Sequence, residues 1–299
     1  MTKTAWVFPG QGSQAIGMGI DLLDLSAAKV KFKQAEEILG WSIPEICQTE
    51  EKLSRTLYTQ PCLYVVESIL VDLMRQQGHQ PDLVAGHSLG EYVALYAAGV
   101  FDFESGLRLV KQRAELMDQV TGGMMIAVMR FDREKLENAI AQTPDVVLAN
   151  DNSDGQVVIS GTPEATQSVI TQVRPKRFVI LNVSGAFHSP FMATAAAEYE
   201  NLLASVPFAD AQVPVLSNVE PLPAVKGDVL KEQIKRQMTG SVRWREICQQ
   251  LPVENISKVV EIGPGKVLTG LIKRSHPDIN LENVSNAADL QLAISYAAN

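Results

Sequence analysis

The chain has 299 residues, of which 46% are hydrophobic and 20% are charged, and its formal net charge is −8 at pH 7. This charge disfavours non-specific binding to nucleic acid. No apolar run reaches the roughly 20 residues of a membrane span, and the first residues do not resemble a secretion signal. The three scattered cysteines suit a reducing compartment. We expect a monomeric, cytoplasmic globular protein that binds neither nucleic acid nor membrane.

The first predicted strand, residues 4–8, runs into a glycine-rich turn, Pro9-Gly10-Gln11-Gly12-Ser13-Gln14. Such a turn brings the main chain or the Gln11 amide close to a ligand. Residues 10–15 also match the dinucleotide fingerprint G-x-G-x-x-A. That interpretation is disfavoured because the following residues have a helical period and include no second strand that ends in a ribose-binding acid.

Residues 42–77 keep a helical pattern, in which Thr59-Gln60-Pro61 predicts a helix start and Gly78 a stop. A short apolar strand over residues 82–86 then leads into Gly86-His87-Ser88-Leu89-Gly90 and a helix that reaches Ala98. A strand, a Gly-x-Ser-x-Gly turn and a helix are the context of a nucleophile elbow. The turn predicts that the Ser88 hydroxyl is exposed at a helix N-terminus, where the Leu89 amide can bind an oxyanion.

A second helix over residues 102–120 carries Arg113. From residue 124 onward the predicted order is strand, helix, strand, strand, helix, strand, which is the pattern of a ferredoxin-like unit. We therefore expect an α/β fold with two parts. The large lobe, residues 1–123 and 186–299, is α/β-hydrolase-like with a parallel sheet core, and the inserted small lobe, residues 124–185, is ferredoxin-like.

The rest of the chain returns to the large lobe. The pattern predicts a helix over residues 192–204, a short strand over 213–217 and a basic helix over 229–238. A strand then ends in Gly263-Pro264-Gly265 before a helix over 267–273. This turn is not a phosphate loop, because Val260 and Val267 stand where G-x-x-x-x-G-K-[ST] requires Gly and Ser or Thr.

A serine hydroxyl needs a base within hydrogen-bond reach to act as a nucleophile. The chain has four histidines. His87 adjoins Ser88 and is expected to point away from it, whereas His79 and His276 lie in polar, surface-like contexts. His188 follows Ser88 in the chain order of this architecture and is the candidate base, with a purely structural role as the alternative. Since H-E-x-x-H and paired cysteines are missing from the sequence, we expect no metal site.

Five segments resemble, in this order, the motifs of malonyl-CoA:acyl carrier protein transacylases: Pro9-Gly10-Gln11-Gly12-Ser13-Gln14, Thr59-Gln60-Pro61, Gly86-His87-Ser88-Leu89-Gly90-Glu91-Tyr92, Gly185-Ala186-Phe187-His188-Ser189-Pro190-Phe191-Met192 and Glu261-Ile262-Gly263-Pro264-Gly265-Lys266-Val267-Leu268. The resemblance spans nearly the whole chain. It implies transfer of malonyl from coenzyme A to the phosphopantetheine thiol of acyl carrier protein in fatty acid synthesis. Malonyl-CoA and the carrier protein are then the partners, and no cofactor is involved.

The resemblance also implies residue roles. Ser88 carries the acyl group, His188 is its base, Gln11 and the Leu89 amide border the oxyanion, and Arg113 holds the malonyl carboxylate. A planar guanidinium suits this last role because it can donate two parallel charge-assisted hydrogen bonds to a carboxylate.

Two supporting roles are assigned to Gln60 and Arg243. Since no acid near His188 is evident, the resemblance places the partner of its imidazole at a main-chain carbonyl near residues 242–244, which we assign to Arg243. The Gly-Ala-Phe-His segment resembles the malonyl-selective motif of polyketide acyltransferase domains, in which the bulky Phe187 leaves little room for a methyl branch.

Residues 226–245 are strongly basic, with six basic residues against the two acids Asp228 and Glu232. We expect an acidic carrier protein to dock near Lys231, Lys235 and Arg236. An ordinary solvated helix is the alternative interpretation.

Three other functions remain open at this point. A serine thioesterase or hydrolase would use the same elbow with water as the acceptor, and it leaves Arg113 unexplained. A polyketide-pathway or stand-alone acyltransferase would carry another acyl unit. A non-catalytic nucleotide binder would use Gly10-Gln11-Gly12 and would not need Ser88.

Overall fold

The computed structural model describes residues 2–290, and its strands form two separate sheets. The strands are β1 (Lys3–Phe8), β2 (Leu83–Gly86), β3 (Met124–Met129), β4 (Val146–Ser153), β5 (Gln156–Gly161), β6 (Arg177–Ile180), β7 (Val215–Leu216), β8 (Ile256–Ile262) and β9 (Asn280–Val284). The helices are α1 (Ser26–Leu39), α2 (Ile43–Cys47), α3 (Glu50–Leu53), α4 (Thr56–Gln76), α5 (Gly90–Ala97), α6 (Phe103–Gln119), α7 (Arg133–Gln142), α8 (Pro163–Val173), α9 (Ala193–Ser205), α10 (Gly227–Gln237), α11 (Trp244–Val253) and α12 (Val267–Ser275). The short 3₁₀ helices are Ile20–Leu22 and Pro190–Met192.

The larger sheet has the strand order β7-β2-β1-β8-β9, and all its pairs are parallel. Its central strands are buried on both faces, which explains why β1 and β2 appear in the sequence as continuous apolar runs. The predicted parallel sheet core is confirmed. Parallel strands place their carboxyl ends at one edge, and β2 delivers the chain there directly into the turn that contains Ser88.

The smaller sheet has the strand order β4-β5-β3-β6, and all its pairs are antiparallel. The helices α7 and α8 lie within the same stretch of chain, in the order that the sequence predicts. A cluster of buried residues from these strands and helices forms a separate core, including Ile126, Leu136, Val157 and Val169. A core of its own is typical of a separately packed unit.

The segments that enter and leave this unit lie against each other. A Cβ atom on Gly123 would overlap the main-chain nitrogen of Ala186. We therefore keep residues 124–185 as the proposed extent of the small lobe and residues 1–123 and 186–299 as that of the large lobe. The end of the large lobe, residues 291–299, lies outside the described residues.

Several element boundaries differ from the sequence expectations. The helical pattern over residues 42–77 is divided among α2, α3 and α4, and the start predicted at Thr59-Gln60-Pro61 is wrong because α4 begins at Thr56. The Thr59 N–H already donates to the Arg55 carbonyl at 2.9 Å, so Pro61 lies inside the helix. Pro61 has no N–H to donate to the carbonyl four residues earlier, so it interrupts the hydrogen bonds of α4 at this point. The sequence analysis did not predict α11 or β9.

Candidate active site

Ser88 lies in the turn between β2 and α5 with a φ of 52°, which residues other than glycine rarely adopt. A Cβ atom on Gly86 would overlap the main chain of Gly90, and one on Gly90 would overlap the Phe8 carbonyl. The turn therefore tolerates only glycine at both positions. This is the geometry that the Gly-x-Ser-x-Gly pattern predicts.

Two side-chain amides hold the main chain of Ser88 in this strained conformation. The Ser88 N–H donates to Asn218 Oδ1 at 2.7 Å, and Asn218 Nδ2 donates to the Gly86 carbonyl at 2.6 Å. On the other side, Gln237 Nε2 donates to the Ser88 carbonyl at 2.9 Å. Positive φ at such a residue costs about 1–3 kcal/mol and persists where the surroundings hold it. Asn218 and Gln237 were not found from the sequence.

His188 is 4% exposed and lies beside Ser88, with its Nε2 at 2.7 Å from the Ser88 Oγ. Its Nδ1 lies 3.0 Å from the Gln237 carbonyl and 3.2 Å from the Gly240 carbonyl. Because both carbonyls only accept hydrogen bonds, Nδ1 carries the hydrogen and Nε2 is the acceptor. The imidazole therefore has the tautomer that can take a proton from Ser88.

The prediction that the Arg243 carbonyl accepts a hydrogen bond from the His188 imidazole is wrong. The two carbonyls that face His188 belong to the end of α10 and the turn after it. The Arg243 N–H instead donates to the Asn218 carbonyl at 3.0 Å, and its guanidinium pairs with Glu246 at 2.5 Å. Arg243 thus supports Asn218 through its main chain. The turn between α10 and α11 brings the carbonyls of Gln237 and Gly240, rather than that of Arg243, to the imidazole.

Burial and the nearby Arg113 charge lower the pKa of His188 to about 3. Both effects disfavour the imidazolium form. The imidazole is therefore neutral across the physiological range and can accept the Ser88 proton.

Arg113, on α6, is 1% exposed and reaches the other side of the Ser88 hydroxyl. Its Nη2 lies 3.1 Å from the Ser88 Oγ and 3.0 Å from Gln237 Oε1, and its Nη1 lies 2.6 Å from Gln60 Oε1. All three acceptors are neutral. Among residues 2–290 no acceptor meets its Nε. The guanidinium is thus held in place while its charge and some donors remain for an anion.

Gln11 and Leu89 lie at the same cavity as Ser88. The Gln11 side chain donates from Nε2 to Thr56 Oγ1 at 3.0 Å, so this side-chain amide already has a partner. Leu89 is the residue that caps the N-terminus of α5, so its main-chain N–H lies before the first turn of the helix.

A cavity of about 220 Å³ lies between the two lobes. Ser88, His188 and Arg113 line it from the large lobe. Apolar side chains form most of the opposite wall: Met125, Ala127, Val158, Leu181 and Val183. The site therefore combines one polar corner with a wall suited to an apolar chain.

The other histidines do not contact Ser88 through their rings. His87 points to the small lobe, where its Nε2 lies 2.8 Å from Asn152 Oδ1. His79 and His276 do not line the cavity. The expectation that His87 points away from the nucleophile matches this geometry.

The basic side chains of α10 are engaged by other parts of the protein. Lys235 pairs with Glu200 at 3.2 Å and Arg236 with Glu220 at 2.7 Å. Lys231 Nζ donates to the carbonyls of residues 204 and 206. The positive face expected from the sequence is therefore partly neutralised by neighbouring acids.

Within residues 2–290, no group of three or more His, Cys, Asp or Glu side chains is placed to bind a metal ion. Over the same span, none of the helices has both the length and the apolar character needed to cross a membrane. Cys47, Cys62 and Cys248 are buried free thiols.

Comparison with known proteins identifies the family. The acyl transferase domain family matches residues 5–293. The chain is 58% identical over 289 residues to the malonyl CoA-acyl carrier protein transacylase of Synechocystis sp., which covers 96% of this chain and 99% of that protein. The crystal structure of the Synechocystis sp. PCC 6803 enzyme matches with a TM-score of 0.96 and 58% identity, over 97% of this chain and 99% of that one.

A malonyl-transacylase, solved in complex with a type II polyketide acyl carrier protein, matches with a TM-score of 0.94 and 35% identity. The match covers 99% of this chain and 100% of that one. The agreement extends over both lobes and includes the segments that carry Ser88 and His188. The chain therefore belongs to the acyl transferase family and, within it, to the malonyl CoA-acyl carrier protein transacylases.

Proposed function

We propose that this protein transfers malonyl from malonyl-CoA, through an ester on Ser88, to the thiol of acyl carrier protein, and so supplies fatty acid synthesis. The arrangement around the Ser88 Oγ carries this conclusion. A neutral imidazole lies on one side at 2.7 Å, and a guanidinium that has no carboxylate partner within residues 2–290 lies on the other at 3.1 Å. The imidazole activates the nucleophile, and the guanidinium favours an acyl group that ends in a carboxylate.

In the first half-reaction, His188 Nε2 takes the Ser88 hydroxyl proton while Oγ bonds to the thioester carbonyl carbon. The oxyanion of the tetrahedral intermediate accepts hydrogen bonds from the main-chain N–H groups of Leu89 and Gln11. The carbon–sulfur bond then breaks, and the sulfur of coenzyme A leaves with the proton from His188. The carbonyls of Gln237 and Gly240 stabilise the transient imidazolium.

The second half-reaction reverses these steps with a different thiol. The carrier thiol gives its proton to His188, and its sulfur bonds to the ester carbonyl carbon. Ser88 Oγ leaves with that proton, and malonyl-carrier protein is released. Protons and electron pairs balance without any cofactor, and the two half-reactions give ping-pong kinetics.

Arg113 supplies the selectivity for malonyl. Its positive charge can bind the distal carboxylate, while Gln60 and Gln237 keep the guanidinium fixed. Charge-assisted bonds of this kind are about twice as strong as neutral ones. Phe187, 5% exposed at the cavity wall, restricts the space beside the acyl group.

Docking of the carrier protein on α10 also belongs to this proposal. Lys235 and Arg236 are paired, yet their side chains are 42% and 49% exposed. Exposed ion pairs are worth only about 0–1 kcal/mol, so carboxylates of a carrier can replace Glu200 and Glu220. Reversing both charges, Lys235→Glu with Arg236→Glu, is expected to raise the KM for carrier protein. An unchanged KM would show that the carrier does not dock on this surface.

We also propose that the protein is a monomer and that it is located in the cytoplasm.

The need for an acceptor thiol, and the choice of carrier that supplies it, distinguish this function from its alternatives. We expect malonyl-CoA turnover to depend on carrier protein and to yield malonyl-carrier protein, measured by mass spectrometry together with free coenzyme A. Release of coenzyme A at the same rate without carrier protein would establish a thioesterase. Discharge onto polyketide carriers but not onto fatty-acid carriers would assign the polyketide pathway.

A further inference from the structure

One glutamine contacts Ser88, His188 and Arg113, and also the buried Glu91. Gln237 is fully buried at the end of α10. Its carbonyl accepts from His188 Nδ1, and its side-chain Nε2 donates to the Ser88 carbonyl at 2.9 Å and to Glu91 Oε2 at 2.7 Å. Its Oε1 accepts from Arg113 Nη2 at 3.0 Å. The side chain thus has a partner at each end of its amide.

The surroundings allow only one orientation of this amide. Arg113 can only donate, so it requires Oε1. The Ser88 carbonyl can only accept, so it requires the NH₂ group. Glu91 Oε2 also receives the Asn218 main-chain N–H at 3.2 Å and is therefore an acceptor as well. Rotation of the amide by 180° would place NH₂ against the guanidinium and oxygen against two acceptors.

The group that accepts the hydrogen bond from Arg113 affects substrate binding, because its charge determines how much of the guanidinium charge remains for the ligand. A carboxylate at the position of Gln237 would hold Arg113 equally well but would neutralise it. The buried acid of this corner, Glu91, instead lies one amide away, because Gln237 stands between it and the guanidinium. Arg113 is therefore oriented by a neutral oxygen, and its charge remains for the ligand.

We propose that the side chain of Gln237 is a positioning residue for malonyl selectivity: its fixed amide aligns Arg113 with the acyl carboxylate without cancelling the guanidinium charge. This inference rests on the proposed function. It adds a role for the side chain that is separate from the contact of the Gln237 carbonyl with His188. A substitution at this position changes the first contact and keeps the second.

The test is the ratio of kcat/KM for malonyl-CoA to that for acetyl-CoA. Gln237→Met keeps the length and the main chain and removes the amide. We expect the ratio to fall about 10- to 100-fold, mainly through the KM for malonyl-CoA, because acetyl has no carboxylate for Arg113 to bind. Gln237→Asn withdraws the amide from Arg113 and gives the same comparison if the methionine variant does not fold.

Gln233 provides a matched control. It is 2% exposed and lies one turn earlier on α10, and its Oε1 has no partner among residues 2–290. Gln233→Met should leave the ratio unchanged. In an Arg113→Ala background, Gln237→Met should cause no further loss of the ratio, since the guanidinium through which it acts is missing.

The outcomes separate the two proposals. Equal losses for both acyl groups in Gln237→Met, or a further fall of the ratio in the Arg113→Ala background, would overturn the positioning role and leave malonyl transfer standing. A parent protein that does not prefer malonyl-CoA over acetyl-CoA would overturn the proposed function, and this inference with it.

Discussion

The two sides of the Ser88 hydroxyl are built from different kinds of partner. His188 is held by two main-chain carbonyls, whereas Arg113 is held by the side-chain oxygens of Gln60, Gln237 and Ser88. The imidazole must gain and lose a proton during turnover, and a carbonyl accepts its Nδ1 hydrogen in both states. The guanidinium keeps its charge throughout, and neutral partners leave that charge for the substrate. The partners therefore differ according to whether the group changes its protonation.

Removing the imidazole should have the largest effect, because the base serves every acyl group. We expect His188→Ala to slow acylation of Ser88 by about 10²- to 10⁴-fold with both malonyl-CoA and acetyl-CoA. Rapid-quench measurement of the acyl-enzyme checks this, with His79→Ala as the control that leaves the rate unchanged. A loss limited to malonyl-CoA would mean that His188 binds the substrate carboxylate rather than the proton.

Removing the guanidinium should lower the activity with malonyl-CoA much more than the activity with acetyl-CoA. We expect Arg113→Ala to lower kcat/KM for malonyl-CoA by about 10²-fold or more and that for acetyl-CoA far less, because only malonyl offers a carboxylate. Arg113→Lys should fall in between, since an ammonium gives a point charge without the planar pair of donors. The steady-state kinetics of both substrates decide the point, and equal losses would contradict the role of Arg113.

Enlarging the wall next to the base should have a smaller effect. Phe187→Ala creates space at the cavity, so we expect the preference for malonyl-CoA over methylmalonyl-CoA to fall by about 10-fold. A competition experiment with both thioesters and mass detection of the acyl-enzymes measures this ratio. No change in the ratio would show that another wall residue excludes the methyl branch.

The smallest expected effect on the rate at neutral pH comes from a change in the pKa of His188. Because the pKa of His188 is lowered to about 3, its neutral, active form predominates above that pH, and acidification to pH 5 should not remove it. Arg113→Ala removes the largest cause of the lowered pKa after burial and should move the acid limb of kcat/KM for acetyl-CoA to higher pH. An acid limb near pH 6.5 in the parent protein, unmoved by the substitution, would contradict this prediction.

The sequence predicts the parts of the site that follow from local chain geometry. The Gly-x-Ser-x-Gly turn fixes the place of Ser88, since Gly86 and Gly90 are required wherever a strand and a helix meet so closely. The parallel sheet follows from apolar runs that alternate with helical patterns. Arg113 needed the family resemblance, because one basic residue among several on α6 carries no local signal.

The parts that the sequence does not predict depend on contacts between distant segments. Asn218 and Gln237 lie 130 and 149 positions from Ser88, in segments with no pattern of their own that points to the elbow. The choice of Arg243 as the imidazole partner was wrong for the same reason, since the path of the chain after α10 decides which carbonyl meets His188. The charges on α10 could be counted, but their pairing with Glu200 and Glu220 could not be predicted.

The intact mass of the protein after brief exposure to malonyl-CoA shows whether Ser88 carries the acyl group. We expect a malonyl adduct on the parent chain, none on Ser88→Ala, and transfer of the adduct to added carrier protein while it persists in buffer alone. An adduct that also forms on Ser88→Ala, or one that water removes as quickly as the carrier does, would contradict a transferase that acts through Ser88.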